Sequence, residues 1–209
     1  MSGNEKLLRS VAEYYSDKIN EHGISAKGVD WNSASSQELR FEVLLQLVKK
    51  KEHFSILDYG CGYGALLGYM NGRFRDFDYT GFDISEEMLV HAASLVPESK
   101  TVKWISSAVD NKYDYSVASG IFNVKLEQER KEWEEYIEAT LRDLDSKSSK
   151  GFSFNMLTAY SDKEYMKDYL FYADPLYYFD FCKKHFSRYV ALLHDYPLYE
   201  FTVIVNKEI

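Results

Sequence analysis

Cysteine is scarce in this chain of 209 residues, which contains only Cys61 and Cys182. Two thiols so far apart in sequence do not form a metal-ligand pattern, and we expect no bound metal. Neither do they suggest a disulfide framework. We expect both to be reduced, in a cytoplasmic setting.

Long apolar runs are also missing. The first residues, 1–6, read MSGNEK and lack the apolar core of a signal peptide. No uninterrupted apolar stretch approaches the roughly 20 residues that cross a membrane as a helix. The sequence therefore predicts a cytoplasmic protein without a membrane partner.

Positive charge is in deficit, with 25 Lys and Arg against 33 Asp and Glu and a net charge of −8. An acidic chain repels phosphate backbones, so nucleic acid is disfavoured as a partner or substrate. The residue type in excess is tyrosine, with 18 copies.

Apolar patterns alternate between strand and helix spacing along the chain. Predicted strands cover residues 55–59, 79–82, 102–105, 115–119, 152–157, 189–194 and 199–205. Helices between them indicate a doubly wound, seven-stranded α/β sheet that is mostly parallel. Only a turn separates the last two strands, so they must pair antiparallel.

The length fits one domain, 1–209, with a core that needs no metal or disulfide. We expect residues 1–50 to form N-terminal helices and a lid over a core spanning residues 51–209. Within the first part, Ser35 and Glu38 have the spacing of a capping box at the start of a helix that reaches about residue 50. In the second part, Trp133, Ile137 and Leu141 form the apolar stripe of a long helix.

The most informative segment is residues 55–64, which read SILDYGCGYG. A short apolar strand ends in Asp58, and the chain then turns through alternating Gly60, Gly62 and Gly64. Such glycines let a ligand lie against the main chain before a helix begins. Asp83 follows 19 residues after Gly64. An acidic residue at about this distance usually accepts hydrogen bonds from ribose hydroxyls.

Two ligand classes suit this loop. Gly60, Gly62 and Ala65 also satisfy the dinucleotide pattern G-x-G-x-x-G/A of nicotinamide and flavin sites. A carboxylate at Asp58 would repel a pyrophosphate, whereas it suits a ligand that carries an ammonium and a sulfonium. A tight turn without any ligand is the third interpretation.

These motifs resemble those of the class I S-adenosylmethionine-dependent methyltransferases, over roughly residues 34–205. The family's first motif is Asp/Glu-x-Gly-x-Gly-x-Gly after an apolar strand, and its second is the acidic residue at Asp83. The resemblance implies a sheet whose seventh strand is antiparallel, S-adenosyl-L-methionine as cofactor, and a small residue such as Cys61 within the loop.

The resemblance also implies further methyl-donor contacts. Ser119 and Gly120 match the small-residue segment that passes beneath the methionine part of the donor. Ser107 and Ala108 stand where family members often have an Asp for the adenine amino group, so here hydroxyls or backbone would substitute. Ile84 would pack against the purine, or else belongs to the ordinary core.

The segment before the first strand is expected to close over the donor. Gln37 and Arg40 share one helix face at i, i+3. Arg40 would pair with the donor carboxylate, because a guanidinium fork fits carboxylates. The alternative is a surface ion pair with Glu38 or Glu42.

The acceptor site is expected to lie between strands five and six, where the aromatic cluster includes Tyr160, Tyr165, Tyr169 and Tyr172. Phenols supply apolar area with a polar tip. The same cluster is alternatively an aromatic lid or the surface of a homodimer. His194, at the end of strand six, is a candidate general base, or alternatively a hydrogen-bonded turn histidine.

The sequence thus predicts an S-adenosylmethionine-dependent methyltransferase that acts on a small-molecule acceptor. The strand-four end lacks the Asn/Asp-Pro-Pro-aromatic motif, which argues against methylation of adenine or glutamine nitrogen. Two alternatives remain: an NAD(P)-dependent oxidoreductase, and an inactive subunit that binds the methyl donor within a complex.

Overall fold

The computed structural model describes residues 3–29, 33–49, 52–107 and 111–208. These residues form a sheet with the strand order β3-β2-β1-β4-β5-β7-β6. The strands are β1 Phe54–Tyr59, β2 Phe77–Phe82, β3 Val102–Ile105, β4 Tyr113–Ala118, β5 Ser148–Leu157, β6 Tyr189–Leu193 and β7 Glu200–Asn206.

Six α-helices accompany the sheet within the described ranges. They are α1 Gly3–His22, α2 Ala34–Leu44, α3 Ala65–Asn71, α4 Glu86–Leu95, α5 Arg130–Lys147 and α6 Pro175–His185. None of these helices combines the length and the apolar character that a bilayer crossing requires.

The sheet confirms the predicted fold class. β1 pairs in parallel with β2 and β4, β2 pairs with β3, and β4 pairs with β5. β7 is antiparallel to both β5 and β6. The strand order reverses between β1 and β4, and ligands of open parallel sheets bind in the crevice at such a point.

Apolar side chains cover both faces of the central strands, as parallel strands between two helical layers require. On one face, Trp133, Ile137 and Leu141 of α5 are fully buried and pack with Phe152 and Phe154. This is the predicted stripe. The other face packs against α2, the 3₁₀ turn Leu45–Leu47 that follows it, and α3. The residues that pack there include Leu44, Leu47, Leu66 and Met70.

Local boundaries differ from the predictions at α2. Ser33, rather than Ser35, caps this helix, because the Ser33 hydroxyl oxygen accepts a hydrogen bond from the Ser36 amide at 3.2 Å. The α-helix ends at Leu44 and tightens into a 3₁₀ turn over Leu45–Leu47. It is therefore shorter than predicted.

β5 begins at Ser148, four residues earlier than predicted. Ser148 pairs with Tyr113 and Gly151 pairs with Tyr115, so the polar start of the strand is held by its neighbour in the sheet. The sequence around residues 148–151 has no apolar pattern, so it did not indicate this pairing with β4.

Candidate active site

The glycine loop follows β1 directly and is tied to β2. The amides of Gly60 and Cys61 both donate to the carbonyl oxygen of Phe82, at 2.8 and 2.9 Å. Gly60 has a φ of +80°, and a Cβ there would lie 2.3 Å from the Ile121 side chain. Glycine is therefore required at Gly60 both by the backbone and by the close approach of the segment after β4.

Gly64 has a structural role, because no larger residue fits beside Trp104. Its φ is +81°, and a Cβ there would lie 2.5 Å from the indole ring of Trp104. The same indole covers Gly81, and its Nε1 donates to the Val96 carbonyl at 2.9 Å. Gly64 therefore admits Trp104 beside the sheet and stands at the start of α3.

Asp83 fastens the loop to the end of β2. Its Oδ2 accepts from the Gly62 amide at 2.8 Å, and its Oδ1 accepts from the Ser85 amide at 2.9 Å. Burial raises the pKa of the Asp83 carboxyl, and the backbone N–H groups of Ser85, Gly62 and Ile84 oppose that rise.

Asp58 is the second-last residue of β1 and is also buried. Burial is the main reason why its pKa rises to about 7, and the nearby charge of Asp83 raises the pKa further. The Tyr79 hydroxyl, which donates to Asp58 Oδ2 at 2.6 Å, opposes the rise. The site thus contains two adjacent carboxyl groups that the fold disfavours as anions.

A cavity of about 100 Å³ lies at the C-terminal ends of β1, β2 and β4, and we call it the glycine-loop cavity. Its floor comes from the ends of β1, β2 and β4, and its roof comes from α1 and α2 through Val11, Ala12, Tyr15, Gln37 and Phe41. The hydroxyl oxygen of Ser119 is buried there without a hydrogen-bond partner among the described residues. Gln37 accepts from the Tyr63 hydroxyl at 3.3 Å.

The structure brings most of the predicted methyl-donor residues to this cavity. They are Gln37, Asp58, Gly60, Cys61, Gly62, Asp83, Ile84, Ser119 and Gly120. Gly64, Arg40 and the exposed Ser107 do not line it. Ala108 lies outside the described residues.

Arg40 instead forms a buried ion pair with Glu200 of β7. Its Nε lies 2.9 and 2.8 Å from the two carboxylate oxygens. The Glu200 carboxylate also accepts from Asn155 Nδ2 at 2.6 Å, and Asn155 Oδ1 accepts from the Gly120 amide at 2.7 Å. The surface pair with Glu38 or Glu42, which was the alternative to a contact with the donor carboxylate, is therefore replaced by a buried chain of polar contacts that reaches Gly120.

A second cavity of about 790 Å³ adjoins the first, and we call it the tyrosine cavity. Its lining includes Tyr165, Tyr169, Tyr172, Tyr196 and Tyr199, together with Arg40 and Glu200. Tyr15, Val29 and Gly120 line both cavities, so the two spaces share a wall. Three of the four predicted acceptor tyrosines therefore meet here.

The fourth, Tyr160, lies elsewhere. Its side chain is exposed, and its ring centroid lies 5.9 Å from that of His194. His194 is itself exposed, and its ring centroid also lies 6.3 Å from that of Phe201. It follows the edge strand β6, which β7 and β5 separate from β4, and it lines neither cavity. The geometry does not bring His194 or Tyr160 to the site.

Sequence reasoning missed the residues that support the site from a distance along the chain. Tyr79, Asn155 and Glu200 all lie in strands, where their polar atoms are engaged within the fold. Glu200 carried one signal, since it is a charged residue at the start of an otherwise largely apolar strand. The roof residues of α1 lie within residues 1–50, for which the sequence predicted helices and a lid, but none of them was singled out.

A strand-order reversal with a glycine loop and two strand-end carboxyls defines an α/β protein of the nucleoside-binding type. Residues 56–147 match the family model described as a methyltransferase domain. A Mycobacterium tuberculosis protein named "Putative methyltransferase Rv1506c" is 52% identical over 164 residues, which cover 78% of this chain and 99% of that protein.

The chain therefore belongs to the class I S-adenosylmethionine-dependent methyltransferases, and its cofactor is S-adenosyl-L-methionine. This places it among methyltransferases rather than among nicotinamide-dependent oxidoreductases.

Solved structures agree on the fold. The DhpI complex with S-adenosylhomocysteine (SAH) has a TM-score of 0.68 at 13% identity and covers 96% of each chain. The SAH complex of magnesium protoporphyrin IX methyltransferase from Synechocystis PCC 6803 has a TM-score of 0.65 at 12% identity, covering 98% of this chain and 97% of that one.

Proposed function

We propose that the chain transfers a methyl group from S-adenosylmethionine to a small molecule held in the tyrosine cavity. The observation that carries this proposal is the shared wall between the two cavities, formed by Tyr15, Val29 and Gly120. A methyl donor bound in the glycine-loop cavity would therefore lie next to the tyrosine cavity.

The residues of the glycine-loop cavity fit the methyl donor. We assign Asp83 to the ribose hydroxyls and Asp58 to the ammonium group, because both carboxyls end neighbouring strands at the cavity floor. Ser119 supplies a buried hydroxyl that lacks a partner among the described residues, which is an unmet polar contact for a ligand to satisfy.

The remaining contacts are apolar or made by the main chain. Ile84 would flank the purine, while Cys61, Gly62 and Gly120 would offer backbone next to the ligand. Gln37 adds an amide from the roof. We leave Arg40 out of the donor contacts because its guanidinium engages Glu200, and we leave out Gly64 and Ser107 because they do not line the cavity.

S-adenosylmethionine supplies an electrophilic methyl group on a sulfonium. The residues of the chain hold the two reactants in line and exclude water, and positioning of this kind lowers reaction barriers by several kcal/mol. A base is required only if the nucleophile of the acceptor arrives protonated. We do not assign that role to His194, because it lines neither cavity.

The size and lining of the tyrosine cavity support a small acceptor. Its volume of about 790 Å³ falls within the range of ligand pockets, which is roughly 300–1,000 Å³. The phenols offer flat apolar faces together with hydroxyls that orient a bound molecule. The net charge of −8 disfavours a polyanionic acceptor such as nucleic acid.

Methyl-labelled S-adenosylmethionine and a fractionated cell extract test this proposal. We expect the label to appear in the fraction of low molecular mass when the wild-type chain is present, and to appear there more slowly, at sub-saturating S-adenosylmethionine, when Asp83→Ala replaces it. Label that enters only protein or nucleic acid would overturn the small-molecule assignment while leaving the methyltransferase activity in place.

A further inference from the structure

The carboxyl group of Asp58 occupies a setting that is unfavourable for an anion. It is only 2% exposed, and the titratable groups that act on its pKa within the described part of the chain are Tyr79 and Asp83. Neither of these side chains carries a positive charge. No cation from the protein among the described residues compensates its charge, so the Tyr79 hydroxyl is the group that stabilises the ionised form.

Tyr79 is held firmly for this contact. It belongs to β2, pairs with Ile56 of β1 in the ladder, and is 1% exposed. Its ring meets the indole of Trp104 edge to face, with centroids 5.4 Å apart. Trp104 is in turn fixed by its bond to the Val96 carbonyl and by its approach to Gly64 and Gly81.

The direction of the contact matters for the ligand. Tyr79 reaches Asp58 from within the sheet, at Oδ2, whereas Asp58 also lines the glycine-loop cavity. One oxygen of the Asp58 carboxyl group thus accepts a hydrogen bond from Tyr79, while Asp58 also lines the glycine-loop cavity.

We propose that Tyr79 is a positioning residue of the methyl-donor site, whose hydroxyl orients Asp58 and keeps its carboxylate ionised for the ammonium group of S-adenosylmethionine. The proposal rests on the assignment of Asp58 to that ammonium group. Tyr79 acts through Asp58 and touches no reacting atom.

The test compares Tyr79→Phe with the wild-type chain in calorimetric titrations with SAH between pH 6 and 9. A hydrogen bond to a charged group is strong enough that its loss should weaken SAH about tenfold near pH 7. The midpoint of the pH dependence should move upward by about one pH unit, because Asp58 then ionises less readily.

A ligand without the ammonium group separates positioning from general damage. 5′-Methylthioadenosine has the adenosine part but lacks the amino acid part, so Tyr79→Phe should leave its affinity within about twofold of wild type. Equal losses for both ligands, or an unchanged affinity for SAH, would overturn the proposal.

Tyr178→Phe is the matched control. Tyr178 is another tyrosine with 2% exposure, its hydroxyl has no partner among the described residues, and it lies in the other core cluster. We expect this variant to bind both ligands as the wild type does.

Asp58→Asn tests the underlying assignment separately. If this variant binds SAH normally, the assignment of Asp58 to the ammonium group fails. If Asp58→Asn weakens SAH but Tyr79→Phe does not, only the role of Tyr79 fails. Should Tyr79→Phe not fold, 3-fluorotyrosine at position 79 replaces it, and its more acidic hydroxyl should move the midpoint to lower pH; an unmoved midpoint would refute the role.

Discussion

Arg40 and Glu200 form a buried ion pair across 160 positions of sequence, with Arg40 Nε 2.9 and 2.8 Å from the two carboxylate oxygens. The pair joins α2, which contributes to the roof of the glycine-loop cavity, to the first residue of β7. Since both side chains are removed from water, each compensates the other's charge, and Asn155 connects the pair to Gly120 at the wall between the cavities.

Removal of one member of this pair should destabilise the protein more than removal of both charges. We expect Arg40→Met to lower the free energy of unfolding by about 3–5 kcal/mol, because Glu200 is left buried and uncompensated. The double variant Arg40→Met/Glu200→Gln should recover at least half of that loss in urea denaturation.

Lys131→Met provides the matched control, since Lys131 and Glu135 form an exposed pair on α5. Its effect should stay below about 1 kcal/mol. A double variant that is no more stable than Arg40→Met would contradict the interpretation of this contact as a compensated charge pair.

Asp58→Asn should stabilise the ligand-free protein at alkaline pH. The pKa of Asp58 is raised from 3.8 to about 7, so the folded state binds its proton more firmly than the unfolded state. The stability associated with this proton is present below about pH 4 and is lost as pH rises through 7.

The gain from Asp58→Asn should therefore be near zero at pH 4 and reach at most about 4 kcal/mol at pH 8. Urea denaturation at the two pH values checks this, and the same variant should bind SAH more weakly at pH 8. An equal change in stability at both pH values would show that Asp58 is not a destabilising anion in the folded state.

Asp83→Ala should weaken S-adenosylmethionine and SAH at least about tenfold, since hydrogen bonds to a charged group are worth roughly 1.5–3 kcal/mol. The variant should also unfold more readily, because Asp83 joins the amides of Gly62 and Ser85. Titration calorimetry measures the first effect and thermal unfolding the second. Asp76→Ala is the control, because Asp76 is exposed, and it should change neither the SAH affinity nor the thermal stability. An unchanged SAH affinity in Asp83→Ala would show that Asp83 does not bind the ribose hydroxyls.

Tyr165→Phe, Tyr169→Phe and Tyr172→Phe should each raise the KM for the acceptor by about 2- to 12-fold, the value of one hydrogen bond, with little change in the affinity for the methyl donor. Steady-state kinetics with the acceptor identified by methyl labelling measures this. Tyr160→Phe is the matched control, because Tyr160 lies outside the tyrosine cavity. If Tyr160→Phe alone raises KM, the acceptor binds on the other side of this segment.

His194→Ala should leave turnover within about twofold of the wild type. The sequence-based expectation of a general base implied a loss of roughly 10²–10⁴-fold, whereas His194 lies beside Tyr160 at the exposed end of β6. A loss of that size in single-turnover kinetics would mean that the acceptor brings the reacting atom to the sheet edge.

The central features of the glycine-loop cavity were predictable from sequence because each is set by a few consecutive residues. An apolar strand, Asp58 and three glycines describe a loop whose φ angles only glycine adopts easily. Asp83 directly follows the neighbouring strand β2, so parallel pairing of β1 and β2 brings it to the same edge of the sheet. The cavity walls depend instead on packing between distant segments. The sequence predicted a lid over residues 1–50 but did not indicate which residues of α1 would line the cavity.

What the sequence alone determined was the fold class, the order of its strands and helices, and the chemistry of the loop between β1 and α3. These three properties depend on hydrophobic periodicity and on turn residues, and both are patterns of a few neighbouring positions in the sequence. Only the tertiary structure decided that Arg40 meets Glu200, that Tyr79 meets Asp58, and that His194 stays away from both cavities. Those outcomes depend on which strands are neighbours and on how deeply each side chain is buried. A buried polar group must form hydrogen bonds within the protein, whereas an exposed one can bond to water.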